Sequence, residues 1–322
     1  MKLVTFKNNK GKVRAGWLKG KTGVVDMKLA DKRLPNNLLS FIEKNEKFFA
    51  IIKENKLEKT AAHYKLKDVQ LLAPIPKPPS IRDFLGFEQH MLNAGKSFGH
   101  KISEVYYDIP VFYFTNHQAV FGPDDEIKRP AAETKMDLEL EIAVVMGKKG
   151  NDIKVENAND FIFGYTVFND WTARSIQKQE MSLPLGPAKG KDFANAFGPC
   201  IVTKDEFEKY RCTISKKSHP KNLKMPTTTG DRFDVKMTAR INGETICEGN
   251  YKTAYWTFPQ MIERASRNNV SLMPGDILGS GTVGWGSLIE NAFSVHRPIE
   301  PGDVVELEIE GIGVLRNTVI SS

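Results

Sequence analysis

The chain has 322 residues, 40% hydrophobic and 26% charged, with a formal net charge of +7. This is ordinary globular composition, long enough to bury a sizeable core as one large and one small unit or as two domains. No apolar run approaches the roughly 20 residues that span a bilayer, and Met1 to Lys7 lacks the apolar stretch of a secretory signal. Cys200, Cys212 and Cys247 are odd in number and lack metal-ligand spacing, so they read as reduced thiols of a cytoplasmic protein. The positive excess is dispersed lysine, as at Lys216-Lys217 and between Lys221 and Lys224. That pattern fits a solvated surface rather than a nucleic-acid footprint, so neither nucleic acid nor membrane is an expected partner.

Residues 1–73 read as a small N-terminal domain. Strand-like pieces run over Lys2 to Phe6 and Val13 to Leu18, and a helix-like stretch over Asn37 to Asn55. Ala73-Pro74-Ile75-Pro76-Lys77-Pro78-Pro79 cannot continue a helix or donate ladder bonds, so the boundary is set there and 74–322 forms the catalytic domain. Ser80 to about Gly95 reads as helical, with Phe84, Phe87, Met91 and Ala94 at helical spacing. Phe161 to Phe168 reads as a buried strand. Phe258, Met261, Ile262 and Ala265 mark an amphipathic helix. Pro-Gly-Asp turns at 274–276 and 301–303 each precede a strand. In the second, Val305, Leu307 and Ile309 alternate with Glu306, Glu308 and Glu310. Regular βαβ alternation is absent. The expected class is therefore mainly β with α, an α+β chain, and not a doubly wound parallel sheet.

The segment Met136-Asp137-Leu138-Glu139-Leu140-Glu141-Ile142 carries the most chemistry. Strand alternation puts Asp137, Glu139 and Glu141 on one face, about 7 Å apart. Carboxylates that close need solvent or a counterion, so the face is either solvated or a hard-cation site. The 161–168 strand ends at Asn169-Asp170-Trp171-Thr172-Ala173-Arg174-Ser175-Ile176-Gln177. Asp170 there is an N-cap or a ligand, and Arg174 and Gln177 follow on one helix face. Leu185-Gly186-Pro187-Ala188-Lys189-Gly190-Lys191 is a tight loop presenting Lys191, a surface lysine or a group that holds an enolate. In Ile81 to His90, Asp83 and His90 share a face if the segment is helical. His90 is suited to general-base work, although a lone histidine is more often structural. Gly279-Ser280-Gly281-Thr282-Val283-Gly284 satisfies G-x-G-x-x-G, but Trp285-Gly286-Ser287 is a poor helix start. It reads as backbone wrapped close to something, followed by the acid Glu290.

Together these motifs resemble the fumarylacetoacetate hydrolase family from about Ser80 onward. Asp-Leu-Glu-Leu-Glu (137–141) resembles its E-x-E metal strand, and Phe168 to Arg174 its N-D-W-S/T-A-R element. Gly186-Pro187 to Lys191 resembles its G-P-x-x-G-K loop, Gly279 to Thr282 its S-G-T turn, and Gly286 to Glu290 its G-S-x-x-E. The resemblance implies a mixed β-sandwich roll, often dimeric, and Asp83, Glu139, Glu141 and Asp170 as ligands of Mg²⁺ or Ca²⁺, with Mn²⁺ as a further candidate. It further implies His90 as water activator, Glu290 as its orienting acid, Lys191 as a catalytic cation, and Tyr113, Arg174, Gln177 and Thr282 as substrate contacts. The activity implied is carbon–carbon hydrolysis of a small anionic diketo acid, such as fumarylacetoacetate or an acylpyruvate. Isomerisation or decarboxylation of a related keto acid at the same metal site is the alternative. A nucleic-acid or partner-binding protein with a degenerate site is the alternative of another class. Two departures concern the substrate's far end. The stretch Lys96 to Lys101 lacks the arginine that follows the family's histidine, and the loop between Thr282 and Glu290 is shorter.

Overall fold

The computed structural model describes residues 1–99, 101–183 and 185–322, without the Phe98 side chain. Among the described residues the larger sheet has twelve strands. Its path runs Tyr64–Lys65, Gly23–Asp26, Val13–Lys19, Lys2–Lys7, Asn195–Thr203, Ile162–Asp170, Leu140–Met146, Ile277–Gly279, Ile81–Phe84 and Phe112–Thr115. Gln70–Leu72 pairs with Lys2–Lys7, and Val120–Phe121 with Asn195–Thr203. A five-stranded sheet runs Glu244–Asn250, Lys236–Ile241, Val304–Ile309, Gly313–Ile320 and Glu126–Lys128. Most neighbouring pairs are antiparallel, and the parallel ones are isolated, such as Ile277–Gly279 with Ile81–Phe84. This is the expected α+β class, and among the described residues the sheets form no doubly wound core.

The second sheet lies against the first through Gly313–Ile320 and Val304–Ile309. Val305, Leu307 and Ile309 are buried there while Glu306 and Glu308 lie half-buried on the other face. The larger sheet buries Leu140, Ile142 and Val144 in one core, and Ala143 and Val145 in a second. A strand buried on both faces is apolar at nearly every position, and Leu140–Met146 breaks that rule only at Glu141. The helix Phe258–Ser266 forms as its apolar spacing predicts. Thr257 and Gln260 close a capping box, and Pro259 occupies the first turn, where its missing N–H costs nothing.

Three local readings are corrected. The stretch Asn37 to Asn55 is two helices, Leu38–Glu43 and Asn45–Glu54, because Lys44 leaves helical geometry at φ −127°, ψ 34°. Ser80 to Gly95 is not one helix: Ile81–Phe84 is a strand and the helix starts at Glu88. The turn between them is fixed at Gly86, whose N–H donates to the Ser280 carbonyl at 2.8 Å. A Cβ at Gly86 would stand 2.3 Å from that carbonyl oxygen, so a continuous helix has no room. Apolar residues on both sides of the turn mimic one helical stripe. Asp83 and His90 therefore share no helix face. Residues 1–72 extend the larger sheet, with Leu3 opposite Ile201, and 74–79 form no regular element.

Candidate active site

Strand ends place the acids. Asp83 lies on Ile81–Phe84 opposite Tyr113, and that strand is bonded to Ile277–Gly279. Glu141 lies on Leu140–Met146 opposite Phe168, and Asp170 ends the next strand. Glu139 sits in the break between Met136–Asp137 and Leu140–Met146, held by its N–H to Asn169 Oδ1 at 3.0 Å. One carboxylate oxygen from each of Asp83, Glu139, Glu141 and Asp170 falls within 4.8 Å of the others. All four are buried, which rules out the solvated-face reading. Asp170 is also no N-cap: the helix Arg174–Glu180 begins after Ala173 without a side-chain cap, and Glu133 accepts the Ser175 and Ile176 N–H groups instead. Asp137 leaves the set. It accepts from Arg174 Nε at 2.8 Å and from the Leu288 and Ile289 N–H groups, which anchors the turn ahead of Glu290.

Lys191 is buried, not a surface lysine. Its Nζ lies 2.5 Å from Glu139 and 2.6 Å from Asp170. Glu180 accepts the Ala188, Lys189 and Gly190 N–H groups and so holds the loop that carries it. Arg174 turns inward. Besides Asp137 it meets Gln177 Oε1 at 3.1 Å and, as an ion pair off hydrogen-bond alignment, Glu139 at 2.8 Å. The Tyr113 hydroxyl donates to Asp170 Oδ2. Thr282 Oγ1 stands 3.5 Å from Glu141, at the limit of a hydrogen bond.

Electrostatics divides the acids. Burial, then the Asp170 charge, pushes Asp83 well above the carboxylate range. Burial and Asp83 do the same to Glu141. Asp170 is also raised, by burial and Glu139, against the pull of Lys191. Burial would raise Glu139 too, but Lys191 and Arg174 outweigh it and draw Glu139 down. Among the described residues, four buried carboxylates thus face two cations, and Asp170 Oδ1 has no hydrogen-bond partner. A divalent cation bound by oxygens fits this set, since it supplies the missing charge and the missing partner.

The glycine motif explains itself here. A Cβ at Gly279 would meet Asp83 Oδ1 at 2.5 Å and Glu141 Oε2 at 2.9 Å. Gly281, at φ 78°, donates its N–H to Glu141 at 2.9 Å. The backbone is wrapped around carboxylates, not around a dinucleotide.

His90 Nδ1 lies 2.9 Å from Glu290 Oε1, both groups buried. Glu290 also accepts from Asn93 Nδ2 at 2.9 Å, Ser287 Oγ at 3.1 Å and Trp285 N–H at 2.6 Å. Sequence reasoning passed over Asn93, whose only signal is its place one helical turn after His90. It also passed over Glu133 and Glu180, which act through backbone N–H groups that no side-chain pattern reveals.

Residues 80–320 match the family model described as fumarylacetoacetate (FAA) hydrolase C-terminal. The chain belongs to the fumarylacetoacetate hydrolase family. It is 31% identical to human fumarylacetoacetase over 272 residues, covering 73% of this chain and 64% of that one. It is 30% identical to the oxaloacetate tautomerase YisK of Bacillus subtilis over 315 residues, 92% of each chain. The fumarylacetoacetate hydrolase structure from Exiguobacterium antarcticum covers all of both chains at a TM-score of 0.72 and 26% identity. The chain thus spans slightly less than two thirds of the human enzyme but nearly all of the bacterial tautomerase. Both relatives are enzymes of the fumarylacetoacetate hydrolase family. Among the described residues no helix is long and apolar enough to cross a membrane.

Proposed function

We propose that the chain is a metal-dependent hydrolase that cleaves a carbon–carbon bond in a small anionic diketo acid, such as fumarylacetoacetate or an acylpyruvate. The observation that carries this reading is the buried His90–Glu290 pair beside the four-carboxylate cluster. Asp83, Glu139, Glu141 and Asp170 would hold Mg²⁺, Ca²⁺ or Mn²⁺, all hard cations that take oxygen ligands. Bound there, the cation polarises the substrate's carbonyl and supplies positive charge.

Glu290 accepts at His90 Nδ1, so the Nδ1–H tautomer is favoured and Nε2 keeps the lone pair a base needs. His90 takes a proton from water, whose oxygen attacks the carbonyl. The bond to the adjacent carbon then breaks, and its electron pair moves onto the neighbouring keto oxygen as an enolate. Lys191 and Gln177 would be the donors that hold that oxygen. Tyr113, whose hydroxyl is raised by burial and by Asp170, stays protonated as a further donor. The proton on His90 returns to the enolate carbon, leaving an acid and a ketone. Arg174 orients Glu139 and Gln177, and Thr282 lines the Glu141 side.

A second reading is favoured by the match to the tautomerase over 92% of each chain. In it the same base moves a proton between carbon and oxygen, and no bond between carbons breaks. Decarboxylation is the third outcome of this site. We further take residues 1–73 as a small unit fused to a catalytic unit of 74–322, and the protein as a cytoplasmic homodimer. Its three free thiols support a reducing compartment.

Metal-stripped protein is assayed against acylpyruvates, fumarylacetoacetate and oxaloacetate, with and without Mg²⁺, Mn²⁺ or Ca²⁺. Metal-dependent loss of a diketone into two fragments supports hydrolysis. A single isomeric product, or CO₂, replaces it with the second or third reaction.

A further inference from the structure

The carboxylate of Glu290 ends a chain of amide side chains that starts at the protein surface. Asn222 Nδ2 donates to Gln89 Oε1 at 2.9 Å. Gln89 Nε2 donates to Asn93 Oδ1 at 2.8 Å. Asn93 Nδ2 donates to Glu290 Oε2 at 2.9 Å, and Glu290 Oε1 meets His90 Nδ1. Each amide uses its oxygen toward the surface and its nitrogen toward the pair. That polarity is dictated from one end. A carboxylate taking four donors can only accept, so Asn93 must show it the NH₂ group. Asn93 Oδ1 then faces Gln89 and needs a donor, which fixes Gln89, which in turn fixes Asn222. Hydrogen bonds aligned in this way polarise one another.

The backbone around the chain is committed to it. Gln89 and Asn93 lie four residues apart on Glu88–Phe98, the helix that carries His90. A Cβ at Gly284 would stand 2.7 Å from Gln89 Cβ, so the turn before Glu290 presses on Gln89 from one side. From the other, the Lys224 N–H donates to Glu88 at 2.6 Å and brings Asn222 to the same helix end. Trp285, Ala292 and Phe293 all have left-handed backbones, at φ 70°, 49° and 60°, within the segment that holds Glu290. Bulky residues persist in that region only where their surroundings over-determine them.

We propose that Asn93 and Gln89 are positioning residues for the reaction. Their directed amide chain, anchored by Asn222, turns Glu290 so that Oε1 fixes His90 in the Nδ1–H tautomer. The role assigned to His90 rests on the function proposed above, but the geometry of the chain does not.

Two variants separate direction from packing. Gln89→Glu presents an acceptor where Asn93 Oδ1 needs a donor, and so favours an Asn93 flip that turns its oxygen onto Glu290. Gln89→Leu removes the link without forcing a flip. The first readout needs no turnover: the ¹⁵N spectrum of histidine-labelled, metal-loaded protein, with His90 assigned by its loss in His90→Ala. The wild type is expected to show Nδ1 protonated and Nε2 bare. Gln89→Glu and Asn93→Asp should shift His90 away from that tautomer, and Gln89→Leu, which removes the link without reversing it, should shift it less. Where a substrate is turned over, kcat should fall about 10-fold or more in Gln89→Glu and less in Gln89→Leu, with KM within about twofold in both. An unchanged His90 spectrum in both Gln89→Glu and Asn93→Asp overturns the proposal, whatever the reaction. A shifted spectrum in a protein that cleaves none of the diketones retains the amide chain and removes the hydrolase reading instead.

Discussion

At the residue scale, the site divides its acids by environment. Glu139 is held low by Lys191 and Arg174, while burial first, and then neighbouring carboxylates, hold Asp83 and Glu141 high. His90 lies outside this set, paired with Glu290. His90→Ala should therefore abolish turnover, a loss of at least about 100-fold, while calorimetric titration still shows the metal bound. Glu141→Ala should lose both. Near-normal turnover by His90→Ala would remove the base from the mechanism. The sequence made these acids visible because E-x-E, N-D-W and G-S-x-x-E each carry their residues in order. It hid Asn93, because an asparagine one turn from a histidine matches countless surface helices. It also drew Asp137 into the wrong group. Alternation placed it beside Glu139 and Glu141, but the strand breaks at 138–139 and Arg174 claims it.

At the scale of elements, period-2 and period-3.6 patterns succeeded where one element filled the window, as in Phe258–Ser266 and Val304–Ile309. They failed at 80–95, where strand, turn and helix share one apolar rhythm and the turn depends on a contact with Ser280, almost 200 residues away. The 279–284 loop is the element that cannot bear side chains. Gly279→Ala would push a methyl into Asp83 and Glu141, so metal affinity should fall by about tenfold or more. Far-ultraviolet circular dichroism should stay native. Unchanged affinity would show that the loop has slack the contact distances deny.

The Pro-Gly-Asp turn at 301–303 offers a test in pH. Asp303 is buried but accepts from Arg297, the Glu300 N–H and Asn242, and these donors outweigh burial to hold its carboxyl at about 2. A folded value below the unfolded one, about 3.9, means the contribution is present above that pH and is lost as pH falls toward 2. The melting-temperature gap between wild type and Asp303→Asn should thus be widest at pH 5 to 6 and narrow toward pH 2. A gap constant over that range would assign the turn's stability to packing.

At the scale of the whole molecule, the fold supplies an interior where strand ends meet and their carboxylates are buried. The fold class was legible because strand and helix patterns are local. The merging of residues 1–72 into the same sheet was not, because the pairing of Leu3 with Ile201 is written in no local pattern. Gathering four buried carboxylates costs stability that a cation returns, so removing metal with a chelator should lower the melting temperature and Mg²⁺ or Mn²⁺ should restore it. A melting temperature indifferent to metal would mean that Lys191 and Arg174 already balance the cluster.

The most direct test of the central claim is turnover of an acylpyruvate in H₂¹⁸O with metal supplied, followed by mass spectrometry of the products. The account predicts two fragments, with one ¹⁸O from solvent in the new carboxylate. Diketone recovered whole as its keto or enol isomer, with no fragments formed, would contradict it and make the enzyme a tautomerase.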